Sequence, residues 1–173
     1  MSGFLKVLKI ILTLFAKNAK SSSQESEKKE TVAAMTSNIE YKNDSNRLRQ
    51  EHKELETKNP KLYIVLLDCG VFCKEKFNKN VVITMIYRTE KEQDELYKDN
   101  EKYKVKKFKS PHQFNHAFDL RSSVFETDEK KILIDYLNNK YNISNYFKFT
   151  ALCHDIDGNG PQAEHFHVQF VKK

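Results

Sequence analysis

Disulfides cannot organise this chain. It has three cysteines, four glycines, three prolines and no tryptophan in 173 residues. Three thiols cannot all pair within one chain, so nothing demands a disulfide framework and a reducing site of synthesis fits. Cys69 and Cys73 lie four apart on a helical pattern and read as core-facing free thiols. A zinc site built on them would lack two further well-spaced ligands. Scarce glycine beside abundant lysine and asparagine fits an AT-rich genome.

Long apolar runs are missing too. Phe4 to Ala16 is 13 residues, broken by Lys6 and Lys9, whereas a membrane-spanning helix needs about 20. At 100° per residue, Lys6, Lys9, Thr13, Lys17 and Lys20 fall within a sector of about 80° on a mostly apolar cylinder. Three readings of residues 1–20 follow. One is an interfacial helix or weak anchor, giving contact with an anionic membrane. The second is a signal peptide, against which Lys9 and Lys17 stand. The third is a helix packed on the domain.

Other absences narrow the function. Asp155-x-Asp157-Gly158 has no bidentate glutamate at loop position twelve, which excludes an EF-hand. His154-Asp155 has no second His–Asp set and makes a poor phosphohydrolase site. The formal charge of +6 and pI near 9.0 suit an anionic partner such as a wall polymer, a membrane surface or nucleic acid. No module combining stacking aromatics with basic residues is visible, so no nucleic acid partner is expected.

Composition divides the chain. Residues 21–58 are polar and charge-rich, a linker and helical extension expected to be loosely attached, with Leu48 and Leu55 as docking contacts. Asn59-Pro60 is a helix start, and the compact domain is expected over 59–173. Leu62, Val65, Leu66, Cys69, Phe72 and Cys73 recur at helical spacing to about Phe77. Val81–Ile86 reads as a buried strand. Thr89-x-x-Glu92 is a capping box that opens a helix to about Tyr97. Residues 98–109 carry six lysines against two acids, a solvated loop or a basic rim that steers anions, with Phe108 packing it down. Thr127 or Asp128 caps a helix to about Asn139, and Tyr146–Cys153 reads as a strand.

Two stretches carry chemistry. Ser110-Pro111-His112-Gln113-Phe114-Asn115-His116-Ala117-Phe118-Asp119 offers an imidazole and a carboxylate seven apart. Residues 165–171 alternate polar and apolar, which places His165, His167 and Gln169 on one strand face. A catalytic zinc takes three protein ligands and keeps one position open. His112, Asp119 and His167 supply nitrogen and oxygen donors suited to it. Glu164, three before His167, is the candidate base. His116 is expected to neighbour the metal without ligating it, and His154 to be a supporting or structural group. Arg88, at a strand-to-helix junction, has the planar fork that grips a carboxylate or an oxyanion.

The segment Ser110–Asp119 resembles the S-x-H-x-x-G-x-A-x-D pattern of zinc D-Ala-D-Ala carboxypeptidases and the related L-alanyl-D-glutamate peptidases of phage endolysins. Glu164 and His167 are similar to that family's second motif, and His165 to a histidine that often follows the acid. Tyr87-Arg88-Thr89 with Gln93 resembles a third motif. The resemblance covers roughly residues 60–172. The family's glycine is Asn115 here, and asparagine tolerates the positive φ that a glycine supplies there.

The resemblance implies an α+β domain: a small, mainly antiparallel sheet with helices on one face and a zinc site on the other. It implies hydrolysis of peptidoglycan stem peptides at D-Ala-D-Ala or L-Ala-D-Glu, and action at the cell wall or periplasm after synthesis in the cytoplasm. Zn2+ would be held by His112, Asp119 and His167, with Glu164 as base. Arg88 and His165 would stabilise the oxyanion, and Arg88, Gln93 and Ser110 would contact substrate. The alternative is a non-catalytic zinc-binding module of the same fold on an anionic polymer or membrane, as the related hedgehog signalling domain illustrates.

Overall fold

Alternation along two adjacent strands sets the architecture. Phe118 and Leu120 face one way with Phe166 and Val168, and all four are buried. Asp119, His165 and His167 face the other way, because successive strand side chains point to opposite faces. The computed structural model describes residues 22–141, 150–154 and 163–170. In chain order the elements are α1 (Ser22–Thr36), β1 (Ile39–Tyr41), α2 (Asn46–Lys58), α3 (Pro60–Phe77), β2 (Val81–Met85), α4 (Glu90–Tyr97), α5 (Glu101–Val105), β3 (Ala117–Arg121), α6 (Thr127–Lys140), β4 (Ala151–His154) and β5 (His165–Gln169). The basic stretch 1–20, residues 155–162 and much of the strand expected over Tyr146–Cys153 lie outside the described residues.

The five strands form one sheet in the order β1-β2-β3-β5-β4. Only β1 and β2 run parallel; every other neighbour is antiparallel. The architecture is therefore α+β with a mainly antiparallel sheet, as expected. Leu62, Val65, Leu66 and Cys69 of α3 join Leu133 and Leu137 of α6 and the apolar strand face in one core. Cys69 and Cys73 are buried free thiols.

Asn59 fastens α3 to the sheet. Its Oδ1 accepts from the Leu62 N–H at 3.2 Å, capping the helix ahead of Pro60. Its Nδ2 donates to the carbonyls of Asn115 and Phe170, each at 3.0 Å. One buried side chain thus ties the helix start to the chain entering β3 and the chain leaving β5. On the far side, Asp68 of α3 accepts from Tyr136, Tyr141 and Lys140. That buried cluster locks α6 onto α3, and burial beside Asp68 pushes both phenols up.

Composition reads 21–58 as a loosely attached extension; the structure builds most of it into the fold. Ile39 pairs with Val81 and Tyr41 with Ile83, adding β1 to the sheet. Met35, Ile39, Leu48 and Leu55 are buried, so the two expected docking leucines do dock. Four apolar residues spread over three elements give no readable period, which is why the pattern hid them. Gly70 lets α3 approach β1: a Cβ there would meet Ile39 Cγ1 at 3.3 Å. Two smaller differences stand nearby. The lysine-rich stretch contains α5, beside an aromatic cluster of Tyr97, Tyr103 and Phe108. The start of α6 is capped one residue early, with the Glu126 N–H donating to Glu129.

His52 of α2 is buried between Tyr41 and Tyr63. Its Nδ1 lies 2.7 Å from the Tyr41 hydroxyl, and its Nε2 has no hydrogen-bond partner among the described residues. Burial lowers its pKa to about 4. The unfolded chain therefore binds this proton more readily, and stability is lost as pH falls from about 6.5 toward about 4. About 2 kcal/mol should disappear between pH 7 and pH 5 through this group. Urea unfolding at both values, beside His52→Phe, checks it: the variant should lose that part of the pH slope. A second test removes residues 1–58. The remainder lacks β1, Leu48 and Leu55, and its thermal melt should lose the sharp cooperative transition of the full chain.

Candidate metal centre

The first ligand sits on a single 3-10 turn, Pro111–Phe114. Pro111 presets the entry, and Ser110 caps it reciprocally. The Ser110 hydroxyl accepts from the His112 N–H at 3.4 Å, and Gln113 Oε1 accepts from the Ser110 N–H at 2.9 Å. Asn115 ends the turn at φ 55°, the left-handed conformation expected where the resembled family has glycine. His112 is swung under the sheet, where its Nδ1 lies 3.0 Å from the Ile86 carbonyl oxygen. A carbonyl only accepts, so Nδ1 carries the proton and Nε2 turns its lone pair inward.

The other two ligands come from the β3–β5 ladder. Asp119 stands directly opposite His167. Asp119 Oδ1 lies 2.9 Å from His167 Nδ1 and 3.1 Å from His112 Nε2. The two imidazole nitrogens are 3.3 Å apart. Gln169, next but one along the same face, presents its Oε1 3.3 Å from His167 Nε2. In the tautomer with its proton on Nε2, donating to Gln169, His167 turns its Nδ1 lone pair to the cluster. Three lone pairs therefore converge, and the residues are only 2%, 6% and 8% exposed for His112, Asp119 and His167.

Such a cluster suits a cation. Two unprotonated nitrogens and a carboxylate oxygen repel one another unless positive charge lies between them. Ligands at about 2.0–2.1 Å around a tetrahedral ion sit about 3.3 Å apart, close to the separations found. His112, Asp119 and His167 thus form a buried group able to hold a metal ion.

The remaining expected site residues divide. Arg88 follows β2 and is buried; its backbone N–H donates to the His112 carbonyl at 3.4 Å. Its Nη1 donates to Gln93 Oε1 at 3.0 Å. Gln93 is fully buried on α4, after the expected Thr89–Glu92 capping box. Its Nε2 has no hydrogen-bond partner among the described residues. Ser110 serves the turn beneath His112. His165 shares the His167 face, with Nε2 3.9 Å from Asp119 Oδ2. His154 pairs across from His165, their ring centroids 5.0 Å apart. His116 stacks beside Phe114 and stays outside the cluster.

Glu164 is not one of the three grouped ligands. Its Oε1 accepts from Ser122 Oγ and from Lys130 Nζ, each at 2.6 Å. Those contacts hold its carboxyl below the usual range, Lys130 first and Ser122 next. Lys130 belongs to α6, which packs on the apolar face.

Gln169 and the Ile86 carbonyl orient the ligands but carry no signal of their own in sequence. Only the i+2 spacing places Gln169 on the ligand face. Lys130 has no signal at all. Asp119→Ala should abolish tight metal binding by the full chain, while Gln169→Leu should weaken it by about 10–100-fold. Isothermal titration of chelator-stripped protein measures both.

Comparison with family models, with curated proteins and with solved structures found no match to this chain.

Proposed function

We propose that this chain is a zinc-dependent peptidase that hydrolyses peptidoglycan stem peptides, of D-Ala-D-Ala carboxypeptidase or L-Ala-D-Glu endopeptidase type. The observation that carries the reading is the convergence of His112 Nε2, Asp119 Oδ1 and His167 Nδ1 in one buried place. A set of two imidazoles and one carboxylate suits Zn2+ and leaves a fourth position open. When bound, zinc lowers the pKa of a coordinated water and polarises a carbonyl. The resemblance of Ser110–Asp119, Glu164–His167 and Tyr87–Gln93 to the zinc D-Ala-D-Ala carboxypeptidases supplies the substrate class.

The protein's own groups then have definite tasks. Gln93 holds the Arg88 fork from behind, and the bond from the Arg88 N–H to His112 keeps the arginine in register with the ligand turn. The guanidinium grips a substrate carboxylate or the developing oxyanion. Ser110 keeps the turn closed, and His165 lines the same face as the ligands. The basic stretch after α4 draws anionic wall polymer, although Lys104, Lys107 and Lys109 also pair with Glu101, Asp94 and Glu90. Action at the cell wall or periplasm, with membrane contact through residues 1–20, belongs to this reading.

One observation favours a second reading, a non-catalytic zinc-binding module of the same fold. Glu164 is engaged by Lys130 and Ser122, and a base must reach the reacting water. The hydrolase requires this carboxylate to leave Lys130 when substrate arrives, or another group to take the proton.

Zinc-loaded full chain, assayed on synthetic stem peptides bearing both bonds, decides between them. Release of one product, with Glu164→Ala keeping zinc and losing about 10²–10⁴-fold in rate, supports Glu164 as base. Arg88→Ala should cost about 10²–10³-fold with zinc retained. Zinc binding without cleavage of either peptide or of whole cell walls would rule out the hydrolase in favour of the module.

A further inference from the structure

The carboxylate of Asp119 is only half used by the cluster described above. Oδ1 takes both short contacts, to His167 and His112. Oδ2 faces His165 Nε2 at 3.9 Å. That gap is too long for a hydrogen bond. It is longer, by about 0.6 Å, than the roughly 3.3 Å that separates two ligands of one tetrahedral ion. His165 is prepared for that role in the same way as His112. Its Nδ1 lies 2.7 Å from the Ala163 carbonyl oxygen, so the proton sits on Nδ1 and the Nε2 lone pair points toward Asp119.

A third donor stands beside it. In the β4–β5 ladder His154 is directly opposite His165, and Leu152 opposite His167. Residues paired across a ladder share a face, so His154 joins the ligand face. Its ring centroid is 5.0 Å from that of His165 and 5.6 Å from that of His167. Three strands thus set two imidazoles and one carboxylate on one sheet face, at the edge of the buried cluster.

We propose that Asp119 Oδ2, His165 Nε2 and the His154 imidazole form a second divalent-cation position, joined to the first through the Asp119 carboxylate. A carboxylate shared in this way suits two ions about 3.5–4 Å apart. The donors are again two nitrogens and one oxygen, the set that favours zinc. The first ion is the buried, tightly enclosed one; the second is open to solvent on the His154 side. The inference rests on the metal-centre reading and extends it from one ion to two. It also gives the His154–His165 pair a task that does not depend on Glu164.

The test counts ions on the full chain. Stripped protein is titrated with zinc alone, passed through a desalting column and measured by elemental analysis. Cobalt-loaded protein is examined by electron paramagnetic resonance. The expected result is two ions per chain, with a dicobalt signal weakened by coupling below twice that of the one-ion form. His154→Ala and His165→Ala should each bind one ion, with affinity for the second lowered at least about tenfold. Residue 154 is exposed, so its truncation spares the core. Saturation of the wild type at one ion overturns the second position and leaves the first standing. No ion at all overturns both. Two ions still bound by either variant would place the second ion elsewhere and also overturn the proposal.

Discussion

The register between β3 and β5 is the constraint on which the rest depends. Asp119 meets His167 because Phe118 meets Val168 and Leu120 meets Phe166 on the other side of the same ladder. A slip of one residue would turn every side chain of one strand over. It would bury Asp119 or His167 among the apolar residues of α3 and α6 and expose an aromatic ring, Phe118 or Phe166. Hydrophobic burial of about 1.5–3 kcal/mol per large side chain therefore holds the ligand set in place. The candidate ligands need no stabilising energy of their own to be aligned. They are carried by the core beneath them.

Asn59 and Asn115 extend that constraint to the third ligand. Asn115 reverses the chain at φ 55°, and Asn59 holds the carbonyl there together with that of Phe170. The turn bearing His112 is thereby pinned to the ends of both ligand strands and to the start of α3. The resulting cluster buries a carboxylate and two imidazoles with their lone pairs facing inward, an arrangement that is costly without a cation. The oriented hydrogen bonds to Ile86 and Gln169 show the same organisation one layer out. Each fixes which nitrogen is left free.

Glu164 shows how a motif spacing depends on the element that carries it. Three residues before His167 is a neighbouring position on a helix, but on a strand it is the opposite face. Here Glu164 precedes β5, and Lys130 from α6 meets its carboxylate. Because α6 lies 34 residues upstream of Glu164 in sequence, nothing local to Glu164 announces that partner. His154 behaves conversely. It belongs to a different strand from the candidate ligands, yet the β4–β5 pairing sets it on their face.

Local pattern alone determined a good deal. Asn59-Pro60 with its helical apolar period specified α3, and the β-branched run specified β2. Thr89 and Glu92 specified the cap of α4. Alternation placed His165, His167 and Gln169 together, and Asn115 announced a positive φ. These are near-neighbour effects of backbone sterics and side-chain period, so a short window contains their cause. The tertiary structure decided what a window cannot hold. It recruited Met35, Ile39, Leu48 and Leu55 into the core, although their segment is too polar to show a period. It closed the distance between His112, Asp119 and His167, and it tied Glu164 to Lys130. Those outcomes depend on which strands pair and which helix covers them. That choice is made by the apolar surface the whole chain buries, rather than by the residues that do the chemistry.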